Sequence, residues 1–203
     1  MDLQTIIRTK IMKRENVSRI FSKIPTLTTE RFILRRISID DSDDMYEYAQ
    51  NKEVTKFLTW SPHENKGHTF EYLTYLQTRY ASGEFFDWAI VCKESGKMIG
   101  TCGFTRFDYK NDCAEVGYVL NPQYHGQGIM TEVVGRVIRF GFENLALNRI
   151  ECRFIEGNIA SRRVMEKNGM QFEGVLRGGM LIKGEYKDIG VCAILKKDFS
   201  KKE

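Results

Sequence analysis

Residues 114–120 read AEVGYVL, and residues 148–155 read NRIECRFI. Both have the alternating apolar character of strands. Between them lie the polar stretch NPQYHGQG and a helical pattern over 129–145, with Met130, Val133, Val134, Val137, Ile138, Phe142 and Leu145 along it. A strand that passes through a helix to the next strand returns parallel to the first, by a right-handed crossover. This unit fixes a parallel pair and excludes an all-α or all-β fold.

The remaining runs are strand-like or helical in a definite order. RFILRRI (31–37) predicts a strand, and the acidic start of 40–50 predicts a helix. Residues 68–83 predict a second helix, stopped at Gly83. DWAIVC (87–92) and MIGTCGFTRF (98–107), joined by the KESGK turn, predict a hairpin that 114–120 extends to an antiparallel meander. NIASRRVMEKNG (158–169) predicts a helix running from Asn158 to Gly169, and 171–195 a last hairpin turning near KGEY. The fold class is α/β (α+β), with a mixed, mostly antiparallel sheet flanked by helices.

The chain of 203 residues is 42% hydrophobic, which suits one globular domain with an appendage. Residues 1–36 hold nine Lys/Arg against three Asp/Glu, while the remainder carries 22 against 24. The basic excess belongs to the front, so no nucleic-acid surface is expected on the body. Leu3, Ile6, Ile7, Ile11, Val17, Ile20, Phe21 and Ile24 follow a helix-like spacing. Residues 1–26 therefore read as a basic amphipathic segment that packs on the body, serves as a dimer arm or lies on a membrane surface, and residues 27–199 as the domain proper. Five cysteines with no CxxC pair, and three histidines with no ligand spacing, point to reduced thiols and no metal. No run approaches the about 18 apolar residues of a membrane span, and no secretory signal is visible, so a cytoplasmic location is expected.

NPQYHGQG joins a strand to a helix. Gly126 and Gly128 let a ligand approach the backbone, and the first amides of a helix lack internal acceptors at the positive end of its dipole. Together they make an anion site of the kind that holds phosphates. Walker and dinucleotide fingerprints both fail here: no Lys-Ser/Thr follows, and Thr131 stands where the third glycine belongs.

Gln123, Gly126 and Gly128 fit Q/R-x-x-G-x-G/A, which resembles the acyl-CoA pyrophosphate loop of the GNAT N-acetyltransferase superfamily. TERFILRRIS, YHGQGIMTE and NIASRRVMEKNGMQFEG are similar to segments of its ribosomal-protein alanine N-acetyltransferase (RimJ/RimL-like) branch. The resemblance covers about residues 27–195 and leaves residues 1–26 uncovered. It implies a twisted sheet splayed open in the middle after 114–120, with the pantetheine arm of acetyl-CoA in the gap. It also implies direct acetyl transfer to a primary amine in a ternary complex. The acceptor would be a protein N-terminal α-amine or a small amine. The alternative is an acyl-CoA-binding regulatory or partner module without turnover, and a homodimer is compatible with either.

Carried over by position, the backbone of Val119 and Leu120 would pair with the arm. Gln123 and the amides of His125, Gly126, Gln127, Gly128, Ile129 and Met130 would hold the pyrophosphate. Asn158, Ser161 and Arg162 would complete the acetyl-CoA site. The Leu120 amide would stabilise the oxyanion. Met165 stands where many members carry the tyrosine that serves the leaving thiolate, so Ser161 is the substitute. Glu115 is the first candidate for general base. Tyr186, Asp188 and Trp60 would line the acceptor site. RGGML offers no carboxylate where the ribosomal branch can carry one.

Overall fold

The computed structural model describes residues 12–199. Its elements run α1 (Arg14–Ser22), β1 (Leu27–Thr28), β2 (Phe32–Arg35), α2 (Ser42–Ala49), α3 (Lys52–Thr55), α4 (Lys66–Ala81), β3 (Asp87–Cys92) and β4 (Met98–Asp108). They continue as β5 (Cys113–Leu120), α5 (Ile129–Asn144), β6 (Arg149–Ile155), α6 (Ile159–Lys167), β7 (Gln171–Ile182), β8 (Glu185–Leu195) and α7 (Lys196–Phe199). The strands form one sheet in the order β1-β2-β3-β4-β5-β6-β8-β7. Its neighbours are antiparallel except β5 and β6, as the helical crossover requires.

Strand β2 is shorter than the apolar run that predicts it. Arg35 forks onto the Asp41 carboxylate at 2.6 and 2.8 Å, and the Ile37 amide donates to the Tyr80 hydroxyl at 3.2 Å. These bonds turn the chain out of the ladder before residue 37. A 3-10 turn over Ile39–Asp41, closed by a capping box from Ser38, then leads into α2.

Pairing between β5 and β6 covers three positions: Cys113 with Arg149, Ala114 with Ile150 and Glu115 with Glu151. Both strands run on, to Leu120 and Ile155, without meeting again. The sheet therefore splays in the middle, and β5 keeps an open edge from Val116 onward.

Each face of the sheet carries its own core. On one face, Val133, Val134, Val137 and Ile138 of α5 pack on Trp88, Phe104, Val116 and Cys152. On the other, Met45 and Tyr48 of α2 and Leu73, Leu76 and Tyr80 of α4 pack on Ala89, Val91 and Met98. Helix α1 belongs to the first core. Its Phe21 is fully buried, edge-on to Phe86 at 5.0 Å, Trp88 at 5.3 Å and Phe140 at 6.2 Å. Residues 14–22 of the N-terminal segment are thus built into the body, and residues 1–11 lie outside the described residues. Phe21→Ala should cost about 3–5 kcal/mol, because an aromatic cavity between three rings cannot collapse. Denaturant unfolding of the full chain measures this loss.

Candidate active site

Strand β5 ends on a pinned turn. The buried Asn121 carboxamide accepts the Gln123 amide at 3.1 Å and donates to Glu47 Oε1 at 2.8 Å. Lys97 holds the other oxygen of Glu47 at 2.6 Å. Hydrogen bonds from Lys97 and then Asn121 keep the Glu47 carboxyl below its ordinary pKa. From this anchor the chain passes through Pro122–Tyr124 to His125, Gly126, Gln127 and Gly128.

Gly126 and Gly128 sit at φ +78° and +73°, and a Cβ on either would meet nothing within 4 Å. The glycines answer a left-handed backbone and leave clear space in front of the loop. Helices α3, α4 and α6 begin at Asn51, Asn65 and Asn158, whose side chains accept first-turn amides. Helix α5 begins at Gly128 with no capping side chain, which leaves its first-turn amides for an external acceptor. Arg31 braces the outside of the loop. It donates to the Gln127 carbonyl at 3.1 Å and to Glu132, in the first turn of α5, at 2.7 Å. This cradle, with its open amides and unfilled front, fits a pyrophosphate.

The open edge of β5 presents backbone groups in alternation. Asn121 N–H donates to Ile99 at 2.8 Å, and Gly100 opposes Leu120. Bonded and non-bonded pairs alternate in an antiparallel ladder, so Leu120 and Tyr118 aim their N–H groups into the gap. The groups of Val119 face β4. The sequence expectation that Val119 pairs with a pantetheine arm does not fit this register, in which Tyr118 and Leu120 are the residues whose backbone groups face the gap. The Leu120 carbonyl already meets His125 Nε2 at 3.2 Å.

Across the gap, the Asn158 side chain accepts the Ser161 amide at 3.2 Å and so caps α6. Ser161 Oγ lies 2.8 Å from the Tyr118 hydroxyl, which also reaches the Ser161 carbonyl at 3.0 Å. Burial raises the Tyr118 phenol above its ordinary pKa, so it stays a neutral donor. Met165 is buried in the core. Arg162 is turned from the loop: it pairs with Glu166 at 2.8 Å and lies over the Phe172 ring at 4.1 Å.

On the face covered by α2 and α4, Glu115 lies at the apex of the splay, where pairing stops. Arg153 Nε approaches it at 3.3 Å and Arg106 Nη2 at 3.6 Å, while Glu151 takes Arg106, Arg149 and Arg153. Trp60 is half-buried, 5.4 Å from the His63 ring, in the segment between α3 and α4. The tip of the β7–β8 hairpin reaches this region, with Lys183 Nζ donating to the Thr55 carbonyl at 2.6 Å. Tyr186 stands 76% exposed on that hairpin. Asp188 is occupied in the hairpin itself, accepting the Gly178 amide at 2.7 Å across a bulge.

The fold recurs in known proteins. A model described as "Acetyltransferase (GNAT) domain" matches residues 31–171. The chain belongs to the GNAT acetyltransferase family. It is 33% identical over 175 residues to the uncharacterized N-acetyltransferase p20 of Bacillus licheniformis, covering 86% of this chain and 98% of that protein. It is 22% identical over 194 residues to the Escherichia coli [ribosomal protein uS5]-alanine N-acetyltransferase, covering 92% of this chain and 96% of that one. Its fold matches a RimL ribosomal L7/L12 acetyltransferase solved with coenzyme A, with a TM-score of 0.71 at 22% identity over 85% of this chain and 97% of the other. As a GNAT protein, the chain is an acetyl-CoA-dependent N-acetyltransferase. Among the described residues no His/Cys/Asp/Glu group could hold a metal, and no helix is long and apolar enough to cross a membrane.

Tyr118, Asn121 and Arg31 are the side chains that residue spacing passed over. An Asn before Pro122 signals a turn, which makes Asn121 readable in principle. The Tyr118 and Arg31 contacts span 43 and 101 positions and leave no local signal. Asn121→Ala should cost about 1–3 kcal/mol, by stranding Glu47 and the Gln123 amide. The same variant should weaken coenzyme A binding by about tenfold through a loosened turn. Unfolding and calorimetry separate the two effects.

Proposed function

We propose that the gap between β5 and β6 takes the pantetheine arm of acetyl-CoA, and that the His125–Met130 loop takes its pyrophosphate. The observation that carries this reading is the uncapped N-terminus of α5 at the mouth of an unpaired strand edge. Tyr118 and Leu120 supply the inward backbone groups. The Leu120 amide serves the oxyanion, because its carbonyl is taken by His125 while its N–H is free to face the gap. Asn158 holds the start of α6 so that Ser161 stands at the sulfur. Ser161 donates its hydroxyl hydrogen bond to the departing thiolate, and Tyr118 fixes that hydroxyl from behind. Gln123 borders the loop, and Arg162 contributes only its charge.

The acceptor in this reading is a primary amine on a protein N-terminus, received on the α2–α4 face between Trp60 and the β7–β8 hairpin that carries Tyr186 and Asp188. The full-length likeness to a ribosomal-protein alanine N-acetyltransferase supports the choice. Glu115, clamped by arginines, shapes the floor of that site. The enzyme acts where acetyl-CoA and nascent or finished proteins meet, which we take to be the cytoplasm.

Thiol release from acetyl-CoA tests the reading across a panel of Ala-, Ser- and Met-started peptides, polyamines, free amino acids and amine antibiotics. Release on the peptides is expected. Release on small amines alone would move the acceptor to a metabolite, and acetyl-CoA binding with no release at all would favour the regulatory module. Gly126→Asp should weaken coenzyme A binding by about 100-fold or more, since it puts a carboxylate before the pyrophosphate in a left-handed backbone. Unchanged affinity by calorimetry would sink the loop assignment. Ser161→Ala should lower kcat by about tenfold to 100-fold with coenzyme A affinity nearly unchanged, as for loss of a transition-state hydrogen bond.

A further inference from the structure

Asp87, the first residue of β3, opposes Gly103 of β4, and Gly103 opposes Gly117 of β5. Opposed residues of antiparallel neighbours share a face. One position along, Trp88 and Cys102 are buried in the α5 core, so Asp87, Gly103 and Gly117 form a row on the α2–α4 face. Two glycines leave that row without side chains of its own between Asp87 and the splayed edge, bordered at Gly117 by the Thr105 methyl, 2.7 Å from where a Gly117 Cβ would stand. The Asp87 carboxylate leans into this lane: its Oδ1 lies 2.4 Å from where a Gly103 Cβ would stand. From Asp87 to Gly117 is two strand spacings, about 10 Å, and the carboxylate already covers part of it.

Asp87 is half-buried, yet among the described residues no hydrogen bond or ion pair engages its carboxylate. Its backbone carbonyl accepts the Tyr80 hydroxyl at 2.5 Å. The titratable groups that feel it are Tyr48 of α2, Tyr72 and Tyr80 of α4, and Cys102 of β4. Arg36 lies over the Tyr80 ring, 4.7 Å from its centroid, and its pull is felt by that phenol. Burial pushes the Asp87 carboxyl up to about 7. Glu115 differs in its neighbours. Its oxygens face Arg106 and Arg153, which compete with an acceptor ammonium for the same atoms.

We propose that Asp87 is the catalytic residue that receives the acceptor's ammonium and takes its proton. The assignment rests on the transferase reading above and deepens it, because the acceptor must arrive as a cation. One N–H bond of the ammonium breaks, and its proton passes to the Asp87 carboxylate. The freed lone pair forms the C–N bond to the thioester carbonyl, and the C–S bond breaks with its electron pair on sulfur. As the amide forms, the nitrogen sheds its second proton to solvent; solvent in turn protonates the thiolate held by Ser161, and Asp87 returns the first proton to solvent once the amide has left.

The test compares wild type, Asp87→Asn and Glu115→Gln, using the panel amine with which wild type turns over fastest. At pH 7, D87N should lose about 100-fold in kcat/KM for the amine, the share of a general base, with acetyl-CoA affinity within about twofold of wild type. The wild-type acid limb near pH 7 should vanish in D87N and persist in E115Q. At a pH above the amine's own pKa the D87N deficit should narrow to about tenfold or less, because the acceptor arrives deprotonated. The melting temperature adds a readout without substrate. A carboxyl whose folded pKa is raised destabilises as pH climbs from about 4 to 7, so D87N should melt higher than wild type at pH 8.5 and not at pH 4. Loss of the acid limb in E115Q but not D87N, or an equal D87N deficit at every pH, overturns the assignment and leaves the transferase standing. A wild-type protein that binds acetyl-CoA and releases thiol with no amine overturns the transferase reading and Asp87 with it.

Discussion

Pairing between β5 and β6 ends at Glu115 and Glu151, and the rest of the molecule is arranged around that ending. An unpaired strand edge in the middle of a sheet leaves backbone donors and acceptors without partners, which a folded chain ordinarily avoids. Here the open edge is kept apart by side chains that bridge or prop it. Tyr118 reaches over to Ser161, and His125 folds back on the Leu120 carbonyl. The Glu47–Asn121 pair stops the turn from sliding into the space. A ligand with an amide-bearing, extended arm completes such an edge as a strand would, without a side chain of its own.

The splay also divides the chemistry between the two faces. The α5–α6 side offers neutral donors: uncapped amides, a serine and a phenol that burial keeps protonated. Such groups stabilise negative charge that develops on phosphate, carbonyl oxygen or sulfur. The α2–α4 side carries the carboxylates and the arginines that balance them. In the proposed reading an anionic donor and a cationic acceptor are met from opposite sides of the sheet, with the gap between them.

The order of elements was legible because each step is local. Hydrophobic period, the Asn158 start and glycine stops set α4, α5, α6 and the last hairpin close to their observed ends. The parallel pair followed from its crossover. The loop was legible for the same reason, since glycine spacing before a helix is a statement about backbone. What could not be read depends on register across strands. The exchange of Val119 for Tyr118 at the gap turns on a single antiparallel bond between Asn121 and Ile99. The fork from Arg35 to Asp41 shortened β2 in a way that apolar alternation cannot foresee. The retreat of Arg162 onto Phe172 needed β7 in place. Asp188, expected at the acceptor, is held by a bulge that no local pattern announces.

Helix α1 has a consequence for how the chain is made. Nine residues cannot hold a helix in water, so α1 forms only when its core is there to receive it. Met12 N–H meets Asp112, a hundred positions ahead, and Phe21 waits for Phe140. During synthesis α1 leaves the ribosome ahead of β3, β4 and α5 and therefore settles only after they have emerged. Until α5 emerges, its apolar face is exposed, and closure of the main core is an end-to-end event in chain order.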